Sequence, residues 1–82
     1  MTALGDTIRI KRKSIRMTLR GLSECTGVSL GYLSDIENGR HGDIGFMTII
    51  TIANILGISI SILQAAYLHD VMPDIYPEYY HG

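Results

Sequence analysis

Apolar residues recur along the chain at three- and four-residue intervals in five stretches, and each stretch is bounded by a capping or turn signal. The first predicts a helix from about Asp6 to Ser14, with Ile8 and Ile15 facing inward and Asp6 at the positive end of the helix dipole. On that helix Arg9, Arg12, Lys13 and Arg16 follow i, i+3, i+4, i+7 spacing and share one stripe, while Ile10 and Lys11 fit the pattern less well. Thr18 can cap a second helix, about Leu19 to Cys25, whose inner face is Leu19, Leu22 and Ser23. Gly27 stands where a glycine closes a helix with positive φ. Ser29 can cap a third helix running to about Glu37, with Leu33 and Ile36 inward and Val28 beneath them. Its outer positions are Leu30, Gly31, Ser34, Asp35 and Asn38, and Asn38-Gly39 ends it with a turn signal. After a loop from Arg40 to Gly45, a fourth helix is expected from Phe46 to Leu56, with Phe46, Ile49, Ile50, Ala53, Ile55 and Leu56 inward. Ser59 or Ser61 can cap a fifth through about Leu68. The alternation Ile58-Ser59-Ile60-Ser61-Ile62 fits a strand, but a single strand would have no partner, so helix is preferred. The expected class is all-α.

Composition narrows the picture. Eighty-two residues make one small domain. Thirteen Ile and eight Leu against no Trp make its core aliphatic. The lone Cys25 excludes an intrachain disulfide framework, and His41, His69 and His81 are too widely spaced for a structural zinc site, so no metal or cofactor is expected. A reduced, cytoplasmic setting is expected. The first six residues contain no apolar run of signal-peptide length, and polar residues interrupt the apolar window from Phe46 to Leu68, so no membrane segment is expected. Cys25 is expected at a buried helix end with no His near it in sequence, and nothing orients a Ser-His-Asp set; an enzyme is not expected.

Net charge is only −1, yet charge is sorted along the chain. Residues 1–40 carry all seven Lys and Arg against four acids, whereas residues 41–82 carry four acids and no Lys or Arg. Six of the seven cations lie between Arg9 and Arg20. One end of the molecule therefore suits a polyanion.

Two short helices joined through Gly27 make a helix-turn-helix, in which one helix braces across a nucleic-acid backbone while the other lies in the major groove. The segment Met17 to Arg40, with Gly27-Val28-Ser29, Tyr32-Leu33-Ser34 and Ile36-Glu37-Asn38-Gly39 in order, resembles the Cro/CI-type (lambda repressor-like, Xre) helix-turn-helix family. The resemblance takes in roughly residues 4–63. It implies a five-helix lambda repressor-like DNA-binding domain, a bacterial or phage transcriptional regulator, a repressor by expectation, that binds a near-palindromic operator on double-stranded DNA as a homodimer. Carried over by position, it implies base contacts from Ser29, Leu30, Gly31, Ser34 and Asp35. Backbone contacts would come from Thr18, Tyr32, Asn38, Arg40 and His41, joined by the cations Arg9, Arg16 and Arg20. It also implies a pair between Arg12 and Glu37, which as a surface pair would contribute about 0–1 kcal/mol. The third helix has no Arg, Lys, Gln or Asn before Asn38, so bidentate readout of purines is absent from its centre.

The domain is expected to occupy residues 1–68, followed by a loop-like acidic tail, 69–82, holding both prolines and three of the five tyrosines. Ile60, Ile62, Leu63 and Tyr67 exceed what so small a core can cover and are expected to form a dimer interface that Tyr76, Tyr79 and Tyr80 extend. The alternative is a protein-interaction module or antitoxin-type partner on the same fold, which would bring a second protein partner.

Overall fold

A computed structural model describes residues 2–74, and among these it contains five helices and no strand: α1 (Ala3–Ser14), α2 (Leu19–Thr26), α3 (Leu30–Glu37), α4 (Phe46–Leu56) and α5 (Ile60–Val71). The all-α architecture read from the periodicity holds, and Ile60–Ile62 open α5 rather than forming a strand. Every helix sends a fully buried side chain to one core: Leu4 and Ile8, Leu22, Leu33 and Ile36, Ile52, and Leu63. Full burial of each contributes about 1.5–3 kcal/mol. No helix among the described residues is long and apolar enough to cross a membrane.

Both ends of the chain's helical order differ from expectation, for one reason. α1 starts three residues before Asp6 because its free N–H groups are met from two directions. Thr2 Oγ1 accepts from the Gly5 N–H at 3.0 Å, while the Asp70 carboxylate accepts from the Ala3 and Leu4 N–H groups at 2.7 and 2.9 Å. α5 in turn runs on to Val71, so His69–Val71 are helix rather than loop, and Asp70 clasps the far end of the chain to its beginning. A cap supplied from 67 residues away leaves no local sequence signal.

Periodicity also overreached at helix margins. Ile15, expected inside, is the C-cap of α1 and 43% exposed, because the helix has ended and its phase no longer applies. Phe46, at the first position of α4, lies beyond the edge of the core and is 55% exposed. Ile55 sits on the flank of the same helix, and the inward line is instead Ile49, Ile52, Ala53 and Leu56. Cys25 is exposed, not buried, since α2 turns Leu22 rather than its last residues toward the core. Leu63, assigned to a dimer interface, is 0% exposed and packs with Ala66 on the inner face of α5. Tyr67 follows it inward: half-buried, it packs against the core and its hydroxyl accepts from the Ile44 N–H at 3.3 Å.

Candidate nucleic-acid interface

α2 and α3 are held at their angle by a chain of short hydrogen bonds through the turn. Thr18 Oγ1 caps α2 by accepting from the Gly21 N–H at 2.9 Å. At the other end Gly27 adopts φ +76°, the left-handed conformation that a glycine takes without strain, and its N–H donates to Ser23 O. The Ser23 hydroxyl donates to Val28 O at 2.6 Å, and the Val28 N–H donates to Thr26 Oγ1 at 3.1 Å. Ser29 then caps α3, its Oγ accepting from the Tyr32 N–H. With Leu33 and Ile36 buried, the opposite line of α3 is left outward: Ser29, Leu30 and Gly31 exposed, Ser34 and Asp35 half-buried, Asn38 exposed. All but Asn38, expected at the sugar-phosphate backbone, are the positions expected to face bases. Tyr32 packs against the core and is half-buried.

Gly31 is informative in this line. A Cβ built there meets nothing within 4 Å, and the residue has no positive φ. Glycine inside a helix costs about 1 kcal/mol relative to alanine. Nothing in the protein's own packing explains that cost, which leaves room for a close approach from outside.

The C-terminal end of α3 is fixed to α1. Glu37 is 3% exposed, and Arg12 grips its carboxylate with two bonds, Nε to Oε2 at 2.7 Å and Nη2 to Oε1 at 3.0 Å, while Nη1 donates to Met17 O. The hydrogen bond to Glu37, opposed by desolvation and aided by the charge of the carboxylate, raises the Arg12 pKa above its ordinary value. The pair exists as the resemblance implied, but it is buried, so the small value expected of a surface pair does not apply. Arg9 joins the cluster: its Nη2 donates to Glu37 O at 2.7 Å and Asn38 Oδ1 at 3.1 Å, and its Nε lies 3.5 Å from Glu37 Oε1. Gly5 makes this approach possible, since a Cβ there would stand 2.5 Å from Glu37 O and 2.8 Å from Ile36 O. The stripe of four cations on α1 is therefore divided. Arg9 and Arg12 brace α3, Lys13 is exposed, and Arg16 lies beyond the helix at φ +58°, exposed.

α3 closes through Gly39 at φ +73°, with the Gly39 N–H donating to Ile36 O and the Arg40 N–H to Asp35 O at 2.8 Å. The turn brings two expected contact residues together, Arg40 Nε lying 3.6 Å from Asp35 Oδ1. Asn38 uses its side chain locally, Nδ2 on Ser34 O and Oδ1 on Arg9. His41 turns toward α5, its ring 6.5 Å from that of Tyr67 and Nδ1 2.7 Å from Gly42 O. Arg20, in the first turn of α2, is exposed, as is Thr18. Ile60 and Ile62 are exposed on α5, away from the buried Leu63. Tyr76, Tyr79 and Tyr80 lie outside the described residues. Thr2, Gly5 and Asp70 support the site without having been singled out in the sequence; Thr2 before the Ala3-to-Ile8 run was a legible capping signal, the other two were not. Among the described residues no group of three or more His, Cys, Asp or Glu could hold a metal ion.

The helix-turn-helix family model matches residues 8–63, which is more than half of the chain. The chain belongs to the helix-turn-helix family. Its fold is the lambda repressor-like form of that family. It superposes on the N-terminal DNA-binding domain of SinR from Bacillus subtilis with a TM-score of 0.70 at 28% identity, over 74% of this chain and 88% of that one. It matches the clp gene regulator ClgR from Corynebacterium glutamicum with a TM-score of 0.69 at 30% identity, over 90% of this chain and 83% of that one. In sequence it is 54% identical over 37 residues to the transcriptional regulator ClgR of Mycobacterium tuberculosis, in two strains, covering 45% of this chain. The match spans a third of the length of those curated relatives (33%). These relatives are regulators and a DNA-binding domain, not enzymes.

Proposed function

We propose that this helix-turn-helix chain is a sequence-specific DNA-binding transcriptional regulator, acting as a repressor from a homodimer on a near-palindromic operator. The observation that carries the reading is the outer line of α3, partly to fully exposed and mostly small or polar, with a glycine that the fold itself does not require. The SinR domain binds DNA and the ClgR proteins regulate transcription, which supports the same role here. Ser29, Leu30, Gly31, Ser34 and Asp35 meet base edges: the hydroxyls suit several bases, Leu30 a thymine methyl, Asp35 a cytosine amino group. Arg16, Arg20 and Arg40, all exposed, take phosphates, with Thr18, Tyr32, Asn38 and His41 near the backbone. Arg9 contributes by bracing α3 through Glu37 O and Asn38. With so few bidentate donors, DNA shape carries part of the specificity. Two protomers joined through exposed Ile60 and Ile62 would set their α3 helices roughly 34 Å apart in successive major grooves. Such a protein works in the cytoplasm, beside its DNA.

A protein-interaction module is the second reading, favoured by the exposed Phe46, Met47 and Ile62. Binding to a mixed-sequence duplex followed by fluorescence anisotropy across salt concentrations separates the two. The logarithm of affinity should fall linearly with log salt, and the Arg20→Ala, Arg40→Ala double variant should lower the slope by about 0.9 for each phosphate it no longer neutralises. Unchanged affinity in that variant, or binding indifferent to salt, would remove the phosphate assignment.

A further inference from the structure

Asp35 is the single charged side chain on the outward line of α3, and its sign is wrong for a surface that meets phosphates. Its charge is not left to itself. The turn after α3 pins the next cation to it twice: the Arg40 N–H donates to Asp35 O at 2.8 Å, Gly39 takes φ +73° to make that bond, and Arg40 Nε then lies 3.6 Å from Asp35 Oδ1. The backbone bond holds the two residues' main chains together, so their side chains can meet or part by rotamer alone.

We propose that Asp35 and Arg40 form a conditional pair that makes phosphate binding depend on the base facing Asp35; this rests on the DNA-binding reading above. In the free protein both side chains are well exposed, 66% for Arg40 and 47% for Asp35, so the pair does little for the fold. In the groove water is displaced, and a carboxylate without a donor is strongly disfavoured. Two arrangements satisfy it. Asp35 keeps Arg40, which then neutralises no phosphate and releases no counterion. Alternatively Asp35 accepts from the N4 amino group of cytosine, and Arg40 is freed for the backbone. The second arrangement gains a base contact and a phosphate contact together, and only opposite cytosine. Asp35 thereby lowers affinity for mismatched DNA and spares it at the matching site, so a residue that looks unfavourable for DNA binding sets specificity.

Selection of sites from a random duplex library by the full chain, paired with anisotropy on a mixed-sequence duplex, tests this. Asp35→Ala removes the carboxylate at an outward helix position and is not expected to unfold α3, which circular dichroism verifies. Wild type should enrich a cytosine at one position of each half-site, and Asp35→Ala should lose that preference. Asp35→Ala should also bind the mixed duplex roughly tenfold more tightly, the size of one base-pair discrimination. Its salt slope should steepen by about 0.9, the increment of one neutralised phosphate. In an Arg40→Gln background the same substitution should leave the slope unchanged. Retention of the cytosine by Asp35→Ala, or an equal gain of slope with and without Arg40, overturns the pairing and leaves DNA binding intact. No binding of any duplex by wild type at low salt overturns the DNA reading and the pairing with it.

Discussion

Glu37 and Gly31 sit six residues apart on one short helix and do opposite things. Glu37 is buried and gripped by Arg12, so removing its carboxylate leaves the largely buried Arg12 guanidinium with its bond to Met17 O alone, while Arg9 keeps the main-chain O of residue 37 and Asn38. Glu37→Ala should therefore destabilise the protein by about 3–5 kcal/mol, read from thermal or urea unfolding. Gly31→Ala should do the reverse for the fold, stabilising it by up to about 1 kcal/mol because its Cβ enters open space on a helix. If α3 lies against a duplex, the same substitution should weaken DNA binding, and parallel unfolding and anisotropy measurements would expose the trade. Both positions were visible in the sequence, but only one property of each. The Arg12–Glu37 pair followed from the family resemblance. Its burial did not, because it depends on Gly5 letting α1 touch the carbonyls at the end of α3, and on Met17 O taking a third guanidinium bond.

The helices themselves were legible from periodicity and caps, since Thr18, Gly27, Ser29, Gly39 and Gly57 act locally and all stand where the chain turns. Periodicity does not carry where the core ends. Ile15 and Phe46 are in phase with buried neighbours yet fall outside the volume those neighbours fill, and Leu63 is apolar surplus only until its helix is packed. The clasp between α1 and α5 was illegible for a related reason: a carboxylate and the amides it caps were brought together by the whole fold. Asp70→Ala leaves two N–H groups of the first turn without that acceptor. It should cost about 0.5–2 kcal/mol, the range of a missing N-cap. Hydrogen exchange should quicken at Ala3 and Leu4 before it does in α2 or α3; uniform protection would mean the clasp contributes nothing.

For the protein entire, the sorted charge of the sequence now has a partial structural meaning. Of the cations clustered between Arg9 and Arg20, Arg9 and Arg12 serve the fold, while Lys13, Arg16 and Arg20 remain exposed and are joined by Arg40 on the far side of the helix-turn-helix. So short a set makes one protomer a weak polyanion binder, which is why dimerisation matters to the proposal. Ile62, 58% exposed on α5, is the side chain on which that rests. Ile62→Asp should leave the monomer folded, shift sedimentation to the monomer, and depress affinity for a palindromic duplex far more than for a single half-site. A wild-type monomer at micromolar concentration would remove the homodimer and leave the interface on α3 to stand alone.

The most direct trial of the central idea is an amide nuclear magnetic resonance titration of the full chain with a mixed-sequence duplex at low ionic strength. Shifts should concentrate at Ser29, Leu30, Gly31, Ser34 and Asp35, with Arg20 and Arg40 at the flanks, and should fade as salt is added. A titration in which those amides stay still, or in which the shifts gather on α5 instead, would contradict the placement of DNA against α3.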